Sequence, residues 1–416
     1  MLIRALLMAV PLALVSTTPA HADEAPVLRM LDDFRTAQRV TSGEGATVAI
    51  VSDGVANSRA LNGAVKRRLD LVRWPRAKMI AGTAAATMLA SSGPRPGSQK
   101  ATRGLVPDVD LLSVRVEDGM PAVGRPGVWL DDRQSLLFLS SGIRWAANHG
   151  ADVIWTFYAW QPGDKGLEEA VEYAVGKGAV VVQGAQVVTK DWPGGRDGVS
   201  DPAALPGVIG VGTVNLNGNR LEEYSPKNRT ILVSAPGMAV PATGPRGEPY
   251  SVSGSMAAAS WVVAAAAMIK AKYPKLSPAL VVQALATSAR RPDQPRQSDD
   301  IETAAWRSAA EPASYDTSIG FGLVNAAGAL KVAGRLAAMR PGADAVAPGS
   351  RFGGAPVQKI KAVRHDKAML TGYAGAIAGG GLLLSLASVV IVRGRRSHYV
   401  DIDVHARERV EYPRIS

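Results

Sequence analysis

A serine hydroxyl attacks a carbonyl only when a neighbouring base takes its proton and an acid holds that base in the right tautomer. Histidine is the usual base, and the chain has five: His21, His149, His365, His398 and His405. Only His149 lies in the part of the chain patterned as a folded domain. It falls in Trp145-Ala146-Ala147-Asn148-His149-Gly150-Ala151-Asp152, where a helix should end and a strand begin, and polar caps are common at such junctions. Lysine can also serve as base once desolvation or a neighbouring charge lowers its pKa. Lys78, in Arg76-Ala77-Lys78, has no sign of burial around it and reads as solvated surface. Ser255, in Ser253-Gly254-Ser255-Met256-Ala257-Ala258, opens an alanine-rich helical stretch and suits a helix N-cap. Asp53 precedes Gly54, an ordinary turn pair. Aromatics crowd Trp155-Thr156-Phe157-Tyr158-Ala159-Trp160. Exposed, such side chains anchor interfaces; as core they would have to alternate between strand faces, which only half can satisfy together.

The elements that would position these residues are legible from the apolar pattern. Residues 46–51, 109–116, 152–156, 179–182 and 208–214 are short runs rich in β-branched side chains, bounded by Gly, Pro or Asp. Buried parallel strands look like this. Helical stretches alternate with them at 134–148, 166–176, 256–272 and 278–288. Strand alternating with helix predicts an α/β layer around a mostly parallel sheet. Sites in such sheets form at the carboxyl ends of strands, and Ser52 stands where the first strand ends.

Several motifs stand in a telling order. They are Val40-Thr41-Ser42-Gly43-Glu44-Gly45-Ala46-Thr47-Val48-Ala49-Ile50-Val51, Ile80-Ala81-Gly82-Thr83-Ala84 and Gly104-Leu105-Val106-Pro107-Asp108-Val109-Asp110-Leu111-Leu112-Ser113-Val114-Arg115-Val116. Leu205-Pro206-Gly207-Val208-Ile209-Gly210-Val211-Gly212-Thr213-Val214 follows, then Ser234-Ala235-Pro236-Gly237 and Gly320-Phe321-Gly322-Leu323-Val324-Asn325-Ala326. Together with the Ser255 segment, this series resembles the subtilisin-like serine peptidases (subtilases, peptidase S8) from about residue 38 to residue 330. The resemblance implies their three-layer α/β fold. It implies nothing about activity, because function lives in the site.

Carried over residue by residue, the resemblance puts the nucleophile at Ser255, the catalytic aspartate at Ser52 and the histidine at Ala81. Two of the three groups are therefore replaced. Asp53 is one place late, and neighbouring side chains on a strand face opposite ways, so only a bulge could re-aim it. The oxyanion asparagine falls at Gln186, in Val182-Gln183-Gly184-Ala185-Gln186, one methylene longer but still a donor. Ser253-Gly254 replaces the family's glycine-threonine, and Ala259-Ser260 its proline-histidine. Phe157, Tyr158 and Trp160 stand where the family keeps small residues for a substrate strand, so they are expected to narrow that edge or to bind a partner. The expectation is a degenerate peptidase fold acting by binding; the alternative is an active S8-type endopeptidase with a rearranged triad.

The flanks add an anchoring architecture to the 416 residues. Residues 1–22 read as a signal peptide: Arg4, an apolar run at 5–15, and Ala20-His21-Ala22 as cleavage site. A short N-terminal extension (23–37) leads into the domain (38–335), followed by a Gly/Pro/Ala-rich stalk (336–368). Residues 369–392 carry no charge and, at about 1.5 Å each, match a hydrocarbon core of about 30 Å, which predicts one C-terminal transmembrane helix. Arg393, Arg395 and Arg396 then open a cytoplasmic tail (393–416). Lys359, Lys361, Arg364 and Lys367 on the other side weaken the charge rule, and the signal peptide sets the orientation with the domain outside. There is no cysteine, so the exported domain must rely on its core. The net charge of +11 is scattered, without an aromatic-interleaved basic stripe, which excludes nucleic acid as a partner. It suits a solvated surface or contact with an anionic envelope. No cofactor and no metal is expected.

Signal peptide, subtilase-like domain, stalk and single span together resemble the mycosins, the membrane-anchored subtilases of actinobacterial type VII secretion. The lead-in Ala37-Gln38-Arg39-Val40-Thr41-Ser42-Gly43-Glu44-Gly45 resembles theirs too, and residues 23–46 are too few for the folded pro-domain of secreted subtilases. The resemblance implies a single-pass cell-membrane protein with a protein partner in the envelope, such as secretion machinery, and lipid contact through 369–392.

Overall fold

The computed structural model describes residues 26–73, 78–93, 103–118, 132–158, 163–186, 200–292 and 315–339, with two short strands at Ser350–Arg351 and Ala355–Pro356. The chain divides into two compact units, Met1–Val357 and Gln358–Ser416, and everything described lies in the first. The expected signal peptide and the expected span at 369–392 fall outside the described residues. Among the described residues no helix is long and apolar enough to cross a membrane.

Seven strands form one wholly parallel sheet: β1 (Thr47–Ser52), β2 (Val65–Asp70), β3 (Asp110–Arg115), β4 (Val153–Thr156), β5 (Val180–Gly184), β6 (Val208–Val214) and β7 (Ile231–Pro236). Their order is β2-β3-β1-β4-β5-β6-β7. The central strands are buried throughout because helices cover both faces. Alternate residues serve opposite layers: Val48 and Ile50 join one core, Ala49 and Val51 the other. The edge strand β2 instead exposes Lys66, Arg67 and Arg68, charges that discourage another chain from adding to it.

One face carries α1 (Pro26–Gln38), α2 (Ile80–Ala90), α5 (Ser255–Lys272), α6 (Pro278–Ser288) and α7 (Ala326–Ala338). The other carries α3 (Asp132–Asn148) and α4 (Lys165–Gly176). The fold is thus the expected three-layer α/β type, with an antiparallel hairpin of β8 (Val240–Thr243) and β9 (Pro249–Val252) at its side. Helix α5 is buried on nearly every side, and its alanines let it lie close against β5 and β6.

The segment expected as a plain N-terminal extension is α1, an amphipathic helix built into the core. Val27, Met30, Phe34 and Ala37 are buried, the Phe34 ring meets Trp261 of α5 edge-on at 5.1 Å, and Asp33 pairs with Arg290 at 3.0 Å. Helix α1 also packs against α7, which continues to Ala338, past the expected start of the stalk.

Candidate functional site

The strand order reverses between β1 and β4: from β1 the chain crosses to the edge at β2, returns to β3 beside β1, and then builds outward on the other side through β4–β7. A crevice outside the carboxyl ends of strands is expected at such a switch point. The register brings Arg115, Ser52, Thr156 and Gln183 to that edge from β3, β1, β4 and β5.

Ser52 closes β1, fully buried, and its Oγ accepts the Gly54 N–H at 3.0 Å. The first turn of α2 presses directly on it. A Cβ on Gly82 would stand 2.3 Å from both Ser52 Oγ and the Gly54 carbonyl oxygen, so only glycine allows this approach. Ala81, half-buried beside it, offers a methyl group where the resemblance needs an imidazole. Asp53 lies just past the strand, so strand alternation does not govern it. Rather than a surface turn residue, it is a buried carboxylate, 3% exposed, accepting the amides of Gly82 at 2.7 Å and Ala81 at 3.2 Å. The N-cap of α2, Met79, provides no side-chain cap, so Asp53 satisfies the helix start from outside. Burial pushes its carboxyl pKa up, against the lowering effect of the amides of Gly82, Ala81 and Ile80.

Ser255 is half-exposed and is the first residue of α5; its N-cap is Gly254, at φ +102°, with no side-chain cap hydrogen bond. The N-cap role expected of Ser255 is therefore corrected: the left-handed turn needs glycine one residue earlier, and the serine is already helical. Ser253 accepts the Ala239 amide at 3.1 Å instead. The Ser255 backbone packs against Gly184 at the end of β5, where a Cβ would meet the Ser255 carbonyl oxygen at 2.3 Å. Since β4 separates β1 from β5, Ser52 and Ser255 stand roughly two strand spacings, about 10 Å, apart. Triad chemistry across that gap needs a side chain that bridges it.

The end of β4 is tied to β5. Gln186, where the resemblance puts the oxyanion donor, donates its amide to the Phe157 carbonyl at 2.7 Å. Gln183 donates to the Tyr158 carbonyl and accepts from Thr156 Oγ1 at 3.2 Å. Phe157 packs against the α2/α5 core, edge-on to the fully buried Trp155 at 4.8 Å, whereas Tyr158 packs against the α3/α4 core. The two rings thus take opposite faces, each half-buried, and Trp160 lies outside the described residues.

Two acidic side chains that the sequence did not single out complete this edge. Glu117, two residues past β3, has its carboxyl pushed up to about 7. Burial is the largest cause, opposed by Tyr158 and reinforced by Asp53 and Asp118. Arg115, buried, pairs with Asp70 at 3.0 Å and Asp118 at 2.7 Å. The buried Tyr158 hydroxyl makes no hydrogen bond of good geometry, but Glu117 is close enough to act on it both as a charge and as a hydrogen-bonding group. A sequence signal existed for this pair: consecutive acids leaving a buried strand, at the edge where sites form.

His149 stands at the far end of β4, before the strand begins, stacked on Trp145 at 4.0 Å with Nδ1 2.8 Å from the Trp145 carbonyl. A strand's length separates it from Ser255. Lys78 is exposed. Among the described residues no cluster of His, Cys, Asp or Glu is arranged to hold a metal ion.

Residues 77–322 match the family model described as Peptidase_S8, subtilase family. Subtilisin DY of Bacillus licheniformis is 36% identical over 149 residues, which cover 36% of this chain and 53% of the relative. The chain thus spans about half the length of that curated relative. The solved structure of a serine protease MycP1, an essential component of the type VII (ESX-1) secretion system, is similar at 26% identity and a TM-score of 0.57, covering 74% of this chain and 89% of that one. The periplasmic assembly from the ESX-5 inner membrane complex includes a chain of like fold, with 23% identity, a TM-score of 0.57, and 73% and 83% covered.

Proposed function

The chain belongs to the subtilase family, and from that premise we propose a membrane-anchored, extracytoplasmic subtilase domain that works by binding, as a scaffold in an envelope secretion complex. The observation that carries this reading is the state of the switch-point crevice. Ser52 lies under Gly82, the neighbour of Ala81, at the end of β1, and the adjacent carboxylate, Asp53, is committed to the amides of α2. Ser255 lies about two strands away, and the intervening β4 exit is fastened to Gln183 and Gln186. Glu117 has a base-like pKa but leaves β3, roughly three strand spacings or about 14 Å from β5, beyond hydrogen-bond reach of Ser255. The rearranged-triad alternative therefore gains no support from this edge. A partner in the secretion machinery is supported by the likeness to MycP1, itself a component of such a system.

Capture of the full-length protein from its native membrane tests the reading. Ser255→Ala should retain every co-purifying partner and all cellular function, with stability changed by less than about 0.5 kcal/mol, since no cap is lost. Tyr158→Ala or Trp160→Ala should weaken capture while the domain stays folded. A null phenotype from abundant, folded Ser255→Ala protein would defeat the proposal. The proposed anchoring, with 369–392 as a single span, is checked by external protease on intact cells or protoplasts. The domain should be removed and a small fragment containing the span retained; protection until lysis would reverse the topology.

A further inference from the structure

Seven cations and one acid, Asp70, fall in residues 59–78, so this stretch supplies +6 of the chain's net +11. The fold lays its middle part along one side of the sheet as β2, the last strand in the order, whose one sheet neighbour among the described residues is β3. Lys66, Arg67 and Arg68 of β2 are exposed, as are Arg59 before the strand and Arg73 just past its end. The acids of this edge are already engaged. Asp110, which opens β3, pairs with Lys66 at 3.3 Å. Asp70 pairs with Arg115 at 3.0 Å and accepts the amides of Val72 at 3.1 Å and Arg73 at 2.8 Å. Arg68 donates to two neutral acceptors, the Val55 carbonyl and, at 2.8 Å, Asn57 Oδ1. Among the described residues Arg59, Arg67 and Arg73 have no ion-pair partner.

The terminal strand of a sheet carries a row of backbone N–H and C=O groups on its outer side, and an incoming strand can pair with them. The cations of β2 are consecutive, so they rim both faces of the sheet. A second copy of this edge would be repelled. An extended segment whose side chains alternate in the same way would set its acids beside the cations on both faces, opposite charges side by side. A flat anionic surface meets one face at a time and makes no use of the backbone row. The six residues of β2 run for about 20 Å, an ordinary strand length. We propose that the β2 edge is a docking site for an acidic, extended polypeptide segment of a partner protein, which adds to the seven-stranded sheet as a further strand. The charges that keep an ordinary chain off this edge admit an acidic one. The site goes beyond the crevice described above: β3 and β1 lie between it and β4, and it does not depend on the state of Ser255.

Titration of the full chain, in non-ionic detergent, with a peptide of about eight residues alternating Glu and Thr tests the site. At low salt the peptide should bind, and added salt should weaken it. Hydrogen exchange of the outward amides of residues 65–70 should slow about tenfold on binding, while amides of β6 keep their rates. Two control peptides separate the contributions. Alternating Glu and Pro keeps every charge and lacks half of the amide donors; alternating Gln and Thr keeps the donors and lacks the charge. Each should bind about tenfold more weakly or worse. Arg67→Gln with Arg73→Gln, which spares the backbone of the strand, should lower affinity about tenfold, and Arg67→Glu with Arg73→Glu should abolish binding. Equal binding of the Glu-Pro peptide overturns the proposal, as does binding that survives both charge reversals. Protection of residues 65–70 by phosphatidylglycerol vesicles that matches the protection by the Glu-Thr peptide overturns it too, in favour of a lipid surface.

Discussion

A fluorophosphonate serine-hydrolase probe is expected to leave the protein unlabelled, and unstructured protein substrates to survive it uncut. In subtilisin, losing the nucleophile or the histidine alone costs about 10⁶ in turnover, and the residue of activity comes from the oxyanion hole and binding. Under the proposed reading the aspartate and histidine places fall at Ser52 and Ala81, and the oxyanion place at Gln186, whose amide is bonded to the Phe157 carbonyl. On that assignment the base and its orienting acid are both lost, and the oxyanion donor is engaged elsewhere. Probe labelling that requires Ser255, at rates typical of serine peptidases, would sink the binding reading and demand a base not visible among the described residues.

Trp155→Ala is expected to cost about 3–5 kcal/mol of stability, the range for emptying a large aromatic site. The side chain is fully buried in the middle layer and supports the Phe157 ring edge-on. Its indole N–H, however, finds no acceptor. Trp155→Phe deletes that unsatisfied donor along with some volume, so the two effects offset and the cost should stay within about 1.5 kcal/mol. Urea unfolding of both variants decides the matter. An alanine variant that unfolds at the wild-type midpoint would mean the ring is not core and the β4 exit is supported in some other way.

Elements buried on both faces were legible because their apolar runs carry the signal locally. The runs at 46–51, 152–156 and 208–214 differ from β1, β4 and β6 by no more than a residue at either end. The edge strand β2 is not legible, since its Lys66-Arg67-Arg68 core reads as loop. Helix α1 escaped as well: its apolar spacing gains meaning only when α5 and α7, more than 200 residues on, supply the surface it covers. At the site, Ser52, Ala81 and Ser255 were placed by resemblance in their motifs. The direction of Asp53 was not readable, because it depends on how closely α2 approaches β1, a distance set by Gly82. The cap of α5 lies one residue before Ser255, at Gly254, because a left-handed φ, which the sequence does not print, is what makes the glycine the cap. The environment of Glu117 is equally non-local, assembled from the ends of three strands.

The docking of α1 onto α5 and α7 ties the order of synthesis to the order of folding. When α1 leaves the ribosome its apolar stripe, with Met30 and Phe34, has no surface to cover. About 300 residues must follow before α7 exists; at about 5–20 residues per second that is about 15–60 s. Throughout that interval the nascent chain carries an unpaired amphipathic helix ahead of a parallel sheet that cannot close early. Among the described helices the first made is thus among the last to be buried, and until then its apolar stripe is exposed to holding factors or to misassociation.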